Sequence, residues 1–89
     1  MHERALMADV VREVERVATA GGAVCVSRVA VELGALSHFT PSHFEDHFRE
    51  AARGTIADGA EVEVTVSHDA KAAAAQTVLL RNVEIEVPS

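Results

Sequence analysis

The sequence is poorest in thiols, large aromatics and basic residues. There is one cysteine, Cys25, in 89 residues. An internal disulfide is therefore excluded, and so is a zinc site built from several thiolates. There is no Trp and no Tyr, and only three Phe, although 48% of the chain is hydrophobic. The core must be made of Val, Ala and Leu. Eight basic residues face fourteen acidic ones, a formal net charge of −6. Nucleic acid and anionic lipid need a basic stripe, and the arginines here are isolated, so neither is an expected partner. No apolar run approaches the roughly 20 residues of a membrane span. Met1-His2-Glu3-Arg4 leads directly into an amphipathic pattern, which is not the form of a signal peptide. A cytoplasmic protein is expected.

What is present suits one small domain over residues 1–89. A chain of this length buries about 60–65% of the surface its unfolded form exposes, enough for one core. From Arg4 to about Ala20, Leu6, Met7, Val10, Val11, Val14, Val17 and Ala18 recur at helical spacing, and Gly21-Gly22 supplies a stop. From Val24 to Leu33 the period shortens: Val29, Val31 and Leu33 alternate with Arg28, Ala30 and Glu32. Val24 and Val26 have the opposite phase, which predicts burial on both faces or a bulge. Thr40-Pro41 reads as a helix cap and first turn, followed by Phe44, Phe48 and Ala51 or Ala52. Phe39 is placed to staple onto Phe44. Gly54 closes this helix and Ala57-Asp58-Gly59 forms a turn. Val62, Val64 and Val66 mark a second strand, and Val83, Ile85 and Val87 a third. Ser67 to Gln76 is alanine-rich and patternless, a loop or short helical tip.

The expected fold is α+β, in the order helix, strand, helix, strand, strand. Two helices cover one face of a three-stranded mixed sheet, and the Glu-rich face meets water. The first two strands should be parallel through a right-handed crossover. The last two should pair antiparallel across the alanine-rich loop.

Five histidines need explaining. His2 sits beside a free α-amine, and amine, backbone amides and imidazole can point at one metal in a plane of nitrogens. Such a set favours Ni(II) or Cu(II) over Zn(II). A solvated histidine on a frayed end is the plainer alternative. His43 and His47 are four apart on the second helix, so their rings share a face as a metal pair requires. They also fit a polar flank beside the Phe stripe. Together with Asp46 they allow a small hydrolase, although no nucleophile and orienting group accompany them. His38 falls in the loop after the first strand. Cys25 reads as a small core hydrophobe.

Met1-His2-Glu3, the Val29-Ala30-Val31-Glu32-Leu33-Gly34-Ala35-Leu36-Ser37 segment, Pro41 with its Phe-bearing helix, the Gly54-Thr55-Ile56-Ala57-Asp58-Gly59-Ala60 segment and the Leu80 to Val87 ending occur together. In this combination the chain resembles the HypA family of hydrogenase and urease nickel metallochaperones. The resemblance implies a non-enzymatic carrier that delivers Ni(II). His2 would be the essential side-chain ligand, and the backbone nitrogens of Met1, His2 and Glu3 would complete most of the plane. Thr40, His38 and His68 are the candidates for a further ligand. A hydrogenase precursor and a maturation GTPase would be the partners. Family members carry a zinc-binding domain with two C-x-x-C pairs between the last two strands. Here the short stretch 67–76 stands in its place without a cysteine, so no zinc is expected. Asp46 stands where the family tends to have an aromatic, and His43 and His47 are not a family signature. The alternative is a metal-free interaction or scaffold module that kept the fold, its sheet or first helix mediating partner binding or a homodimer.

Overall fold

A computed structural model describes residues 2–35, 39–68 and 78–88. Its elements come in the expected order: α1 (His2–Ala20), β1 (Cys25–Leu33), α2 (Pro41–Ala52), β2 (Glu61–Val66) and β3 (Val78–Glu86). The strands make one mixed sheet ordered β2-β1-β3. β1 runs parallel to β2, from Arg28 opposite Glu61 to Leu33 opposite Val66, as the crossover through α2 requires.

The core is a single cluster on one face of this sheet. α1 contributes Met7, Val11, Val14 and Ala18, and α2 contributes Phe44, Phe48 and Ala52. They close over Val26, Val29, Val31 and Leu33 of β1 and Val62 of β2. Val17 lies at the edge of the helical stripe and stays exposed. The two large rings supply what the aliphatic chain cannot. Phe44 and Phe48 are both almost fully buried, and Phe39 meets Phe44 edge to face with centroids 5.5 Å apart. That contact is the expected staple, and it fixes how the chain enters α2.

Two expectations about the third strand are corrected. The last two strands do not pair: β3 lies antiparallel on the other edge of β1. Here its apolar residues Val78, Leu80, Val83 and Ile85 stand beside Leu33, Val31, Val29 and Val26, over the core. α1 packs on the β3 side of the sheet and α2 on the β2 side. A strand placed outside β2 would leave α1 with no sheet beneath it. The nine residues of β1 also offer β3 a longer ladder than the six of β2. The strand also begins at Val78, ahead of the Val83 pattern that marks it in the sequence, and Val87 falls beyond its end. The register shifts between Asn82 and Leu80, leaving Arg81 as an extra residue. That extra residue resets the alternation and hides the first part of the strand.

The phase slip at the start of β1 is a bulge. Val26 pairs with Ile85 and Arg28 with Glu84, so Ser27 is the unpaired residue. Val26 is thereby turned into the core while Val24 remains exposed. Cys25 is consequently not a core residue. It is half-buried on the open face, and its thiol donates to a Glu86 carboxylate oxygen at 3.2 Å.

The open face is acidic, as expected. Arg28 stands opposite Glu61 on one side and Glu84 on the other. It forms an ion pair with Glu63, and its Nε lies 3.8 Å from Glu84. The Glu63 hydrogen bond, with the charges of Glu63, Glu84 and Glu61, raises the guanidinium's already high pKa. At the α1–β1 turn, Gly22 has φ +77, a conformation that costs a residue with a Cβ. Its neighbour Gly21 sits so close to Ile85 that a Cβ would meet the Ile85 methyl at 2.8 Å.

Candidate metal centre

The topology collects the histidine-bearing segments at one end of the sheet. α1 precedes β1 through a tight turn and runs against it. Its last residue lies near the Glu86 end of β3, where the Val24 N–H donates to the Glu86 carbonyl at 2.8 Å. α2 is the crossover between two parallel strands, so it too runs against β1. Both helices therefore start at the Leu33 end. β2 finishes there as well, and the Ser67 N–H donates to the Leu33 carbonyl at 2.9 Å.

Among the expected ligands, His2 and Glu3 form the first turn of α1, and His2 is its first residue. Met1 and His38 lie outside the described residues. His68 is exposed, two residues beyond β2. Most of the stretch 67–76 is also outside the described residues. Thr40 caps α2: its side chain accepts from the His43 N–H at 3.3 Å, so its oxygen already has a structural task. Among the described residues, no group of three or more His, Cys, Asp or Glu side chains could hold a metal ion.

The start of α1 has backbone nitrogens that lie outside the helical ladder. The first four N–H groups of a helix have no intrahelical acceptor. The amide nitrogens of His2 and Glu3 are among them, so giving up their protons breaks no bond of the helical ladder.

His43 and His47 are brought together on the exposed side of α2. Their rings stack with centroids 4.5 Å apart and an interplanar angle of 12°. The Phe39 ring meets His43 edge-on at 5.8 Å. Thr40, Ser42 and Asp46 line the hollow they share. His47 also faces a groove between the helices, bordered by Arg4, Met7 and Glu50. Cys25 is at the opposite end. The hydrogen bond to Glu86, then burial, then the carboxylate charge push its thiol pKa up, which makes it a poor thiolate donor. The Arg28–Glu63–Glu84 cluster had no signature in the sequence, because its pairing depends on strand order.

A family model described as hydrogenase/urease nickel incorporation, metallochaperone, hypA matches residues 1–86. The chain is 36% identical over 66 residues to hydrogenase maturation factor HypA of Archaeoglobus fulgidus, a match spanning 74% of this chain and 60% of that protein. It is 39% identical over 64 residues to hydrogenase maturation factor HypA 2 of Bradyrhizobium diazoefficiens, spanning 72% and 57%. The match to hydrogenase maturation factor HypA of Acidithiobacillus ferrooxidans is 33% identical over 64 residues, with the same 72% and 57% coverage. The matched region thus spans less than two thirds of these relatives. The fold is also that of the solution structure of the Ni metallochaperone HypA from Helicobacter pylori. The TM-score is 0.79 at 14% identity, over 97% of this chain and 98% of that one. Among the described residues, no helix is long and apolar enough to cross a membrane.

Proposed function

The chain belongs to the HypA family, and from that premise we propose that it carries Ni(II) as cargo at the start of α1. It passes the ion on during maturation of a [NiFe]-hydrogenase or a urease. The observation that carries this reading is that α1 starts at His2. An imidazole and backbone nitrogens outside the helical ladder thus belong to consecutive residues. His2 supplies its ring nitrogen, and Met1, His2 and Glu3 supply backbone nitrogens. Thr40, His38 and His68 are the candidates for a remaining position.

Charge balance supports the arrangement. A helix N-terminus carries a partial positive charge, which repels a cation. Two amides that lose their protons on binding bring two negative charges to a doubly charged ion. The complex then adds almost no charge to the helix end. Binding must release protons, so it must weaken as pH falls. A site in the first residues of a helix also opens at little cost, which suits a carrier that must give up its ion.

Zinc has no part in this reading, because Cys25 is the single thiol of the chain. The stretch 67–76 stands where relatives in the resemblance hold their zinc domain. A hydrogenase precursor and a maturation GTPase are the proposed partners, and the cytoplasm the proposed compartment.

Calorimetry with Ni(II) chloride on the native chain and on His2→Ala tests the proposal. The variant is expected to lose tight binding while its circular dichroism is unchanged. Equal affinity in the two proteins would overturn the N-terminal site and favour the metal-free module.

A further inference from the structure

We infer that His43 and His47 form a second metal site, distinct from the start of α1. It takes one divalent transition ion, nickel among them, on two imidazole nitrogens. Helical spacing brings the two side chains onto one face, and the structure adds how they meet. The rings are nearly parallel, 12° apart, with centroids 4.5 Å apart. Two nitrogens that each bind a metal at about 2.0–2.1 Å in a cis arrangement lie roughly 3 Å from one another. Tilting the two ring edges together by about that difference closes the grip. Both residues are exposed on α2.

The surroundings favour a cation. Asp46 lines the same hollow as the two rings and places a carboxylate there. The Phe39 edge contact restrains the His43 ring. The chain as a whole is acidic, with a formal charge of −6. Against this stand the partial positive charge of the α2 N-terminus and the absence of a third protein ligand among the described residues. Water fills the remaining positions, and the site is weaker and more open than a closed cage.

Its place in the fold gives the site a use. α1 and α2 start at the same end of the sheet, so the pair lies at the end of the molecule where His2 begins α1. An open two-nitrogen site captures an ion quickly and releases it quickly. This is the property of a loading position beside a tighter one.

The test uses the full chain beginning at Met1, titrated with Ni(II) chloride. The native protein is expected to bind two ions of unequal affinity. His2→Ala should retain one, with micromolar affinity. Adding either His43→Ala or His47→Ala to His2→Ala should weaken that ion by about tenfold or more, since a chelate becomes a single ligand. In imidazole nitrogen spectra of His2→Ala, substoichiometric Ni(II) should broaden the His43 and His47 signals together. Circular dichroism monitors folding, and two independent variants guard against loss of one of them. The proposal is overturned if the double variants bind as His2→Ala does, if His2→Ala binds only at millimolar nickel, or if other histidines broaden first. Failure of the N-terminal reading is separate: it appears as equal tight binding in native protein and His2→Ala.

Discussion

The two ends of the sheet have divided the work between them. At the α1–β1 turn the chain is fixed by backbone geometry. The Ala23 N–H reaches back to the Ala18 carbonyl at 3.0 Å, Val24 bonds to Glu86, and Gly21 lies against Ile85. Among the described residues, no histidine is found there. At the Leu33 end, α1 and α2 begin and β2 finishes, and four histidines belong to those segments: His2, His43, His47 and His68. Groups that hold the fold are apolar or committed to backbone partners, whereas His43, His47 and His68 are exposed and the proposed nickel site draws on helix-start amides. Ligand chemistry can therefore vary at one end with little effect on the core.

Phe44→Ala would breach that separation most severely, because Phe44 lies in α2 yet is fully buried. A loss of about 3–5 kcal/mol is expected from urea unfolding. This is a large part of the roughly 5–15 kcal/mol that holds a small domain together. Nickel binding should fall only as the folded fraction falls. At the other end, Gly22→Ala forces a side chain into φ +77 and should cost about 1–2 kcal/mol. Per folded molecule, nickel affinity should be unchanged. Thr40→Ala removes the cap of α2 and should cost about 1 kcal/mol in the same assay. The variant also sharpens the contrast: if Thr40 is a cap and not a ligand, tight Ni(II) binding survives it.

The smallest expected effect concerns Cys25. Its thiol pKa is raised chiefly by the hydrogen bond to Glu86. The sign follows: this contribution to stability is fully present below the ordinary thiol pKa and is lost as pH rises through the raised value. Glu86→Gln should lower the thiol pKa and speed alkylation by iodoacetamide at mildly alkaline pH. An unchanged rate would mean that the carboxylate does not hold the thiol.

Much of the fold was legible in the sequence, and the exceptions have physical causes. The valine alternation of β1 identified its buried face, and the phase slip at Val26 left burial on both faces or a bulge, of which the structure has the bulge, at Ser27. The Phe39–Phe44 staple followed from a cap and a spacing. The partner of β3 was not legible, because an apolar strand fits either neighbour until the positions of the helices decide. Its first residues were hidden by the extra Arg81. Cys25 was misread because valines flank it, while the pleat turns it away from Val26. At the site, the four-residue spacing of His43 and His47 gave a shared face. Ring stacking and the common hollow depend on side-chain torsions that no spacing encodes. The ligand role proposed for His2 rests chiefly on resemblance, and what the fold adds is that His2 starts a helix.

The most direct test of the central claim leaves every side chain in place. A few residues added before Met1 convert its amine into an amide and displace the nitrogen plane, while Met7, Val11 and Val14 hold the core a turn or more away. Ni(II) calorimetry on the native and extended chains, each with its melting temperature in the absence of metal, is the measurement. Tight nickel binding should be lost on extension with the melting temperature almost unmoved. An extended chain that binds nickel as tightly as the native one would contradict the account.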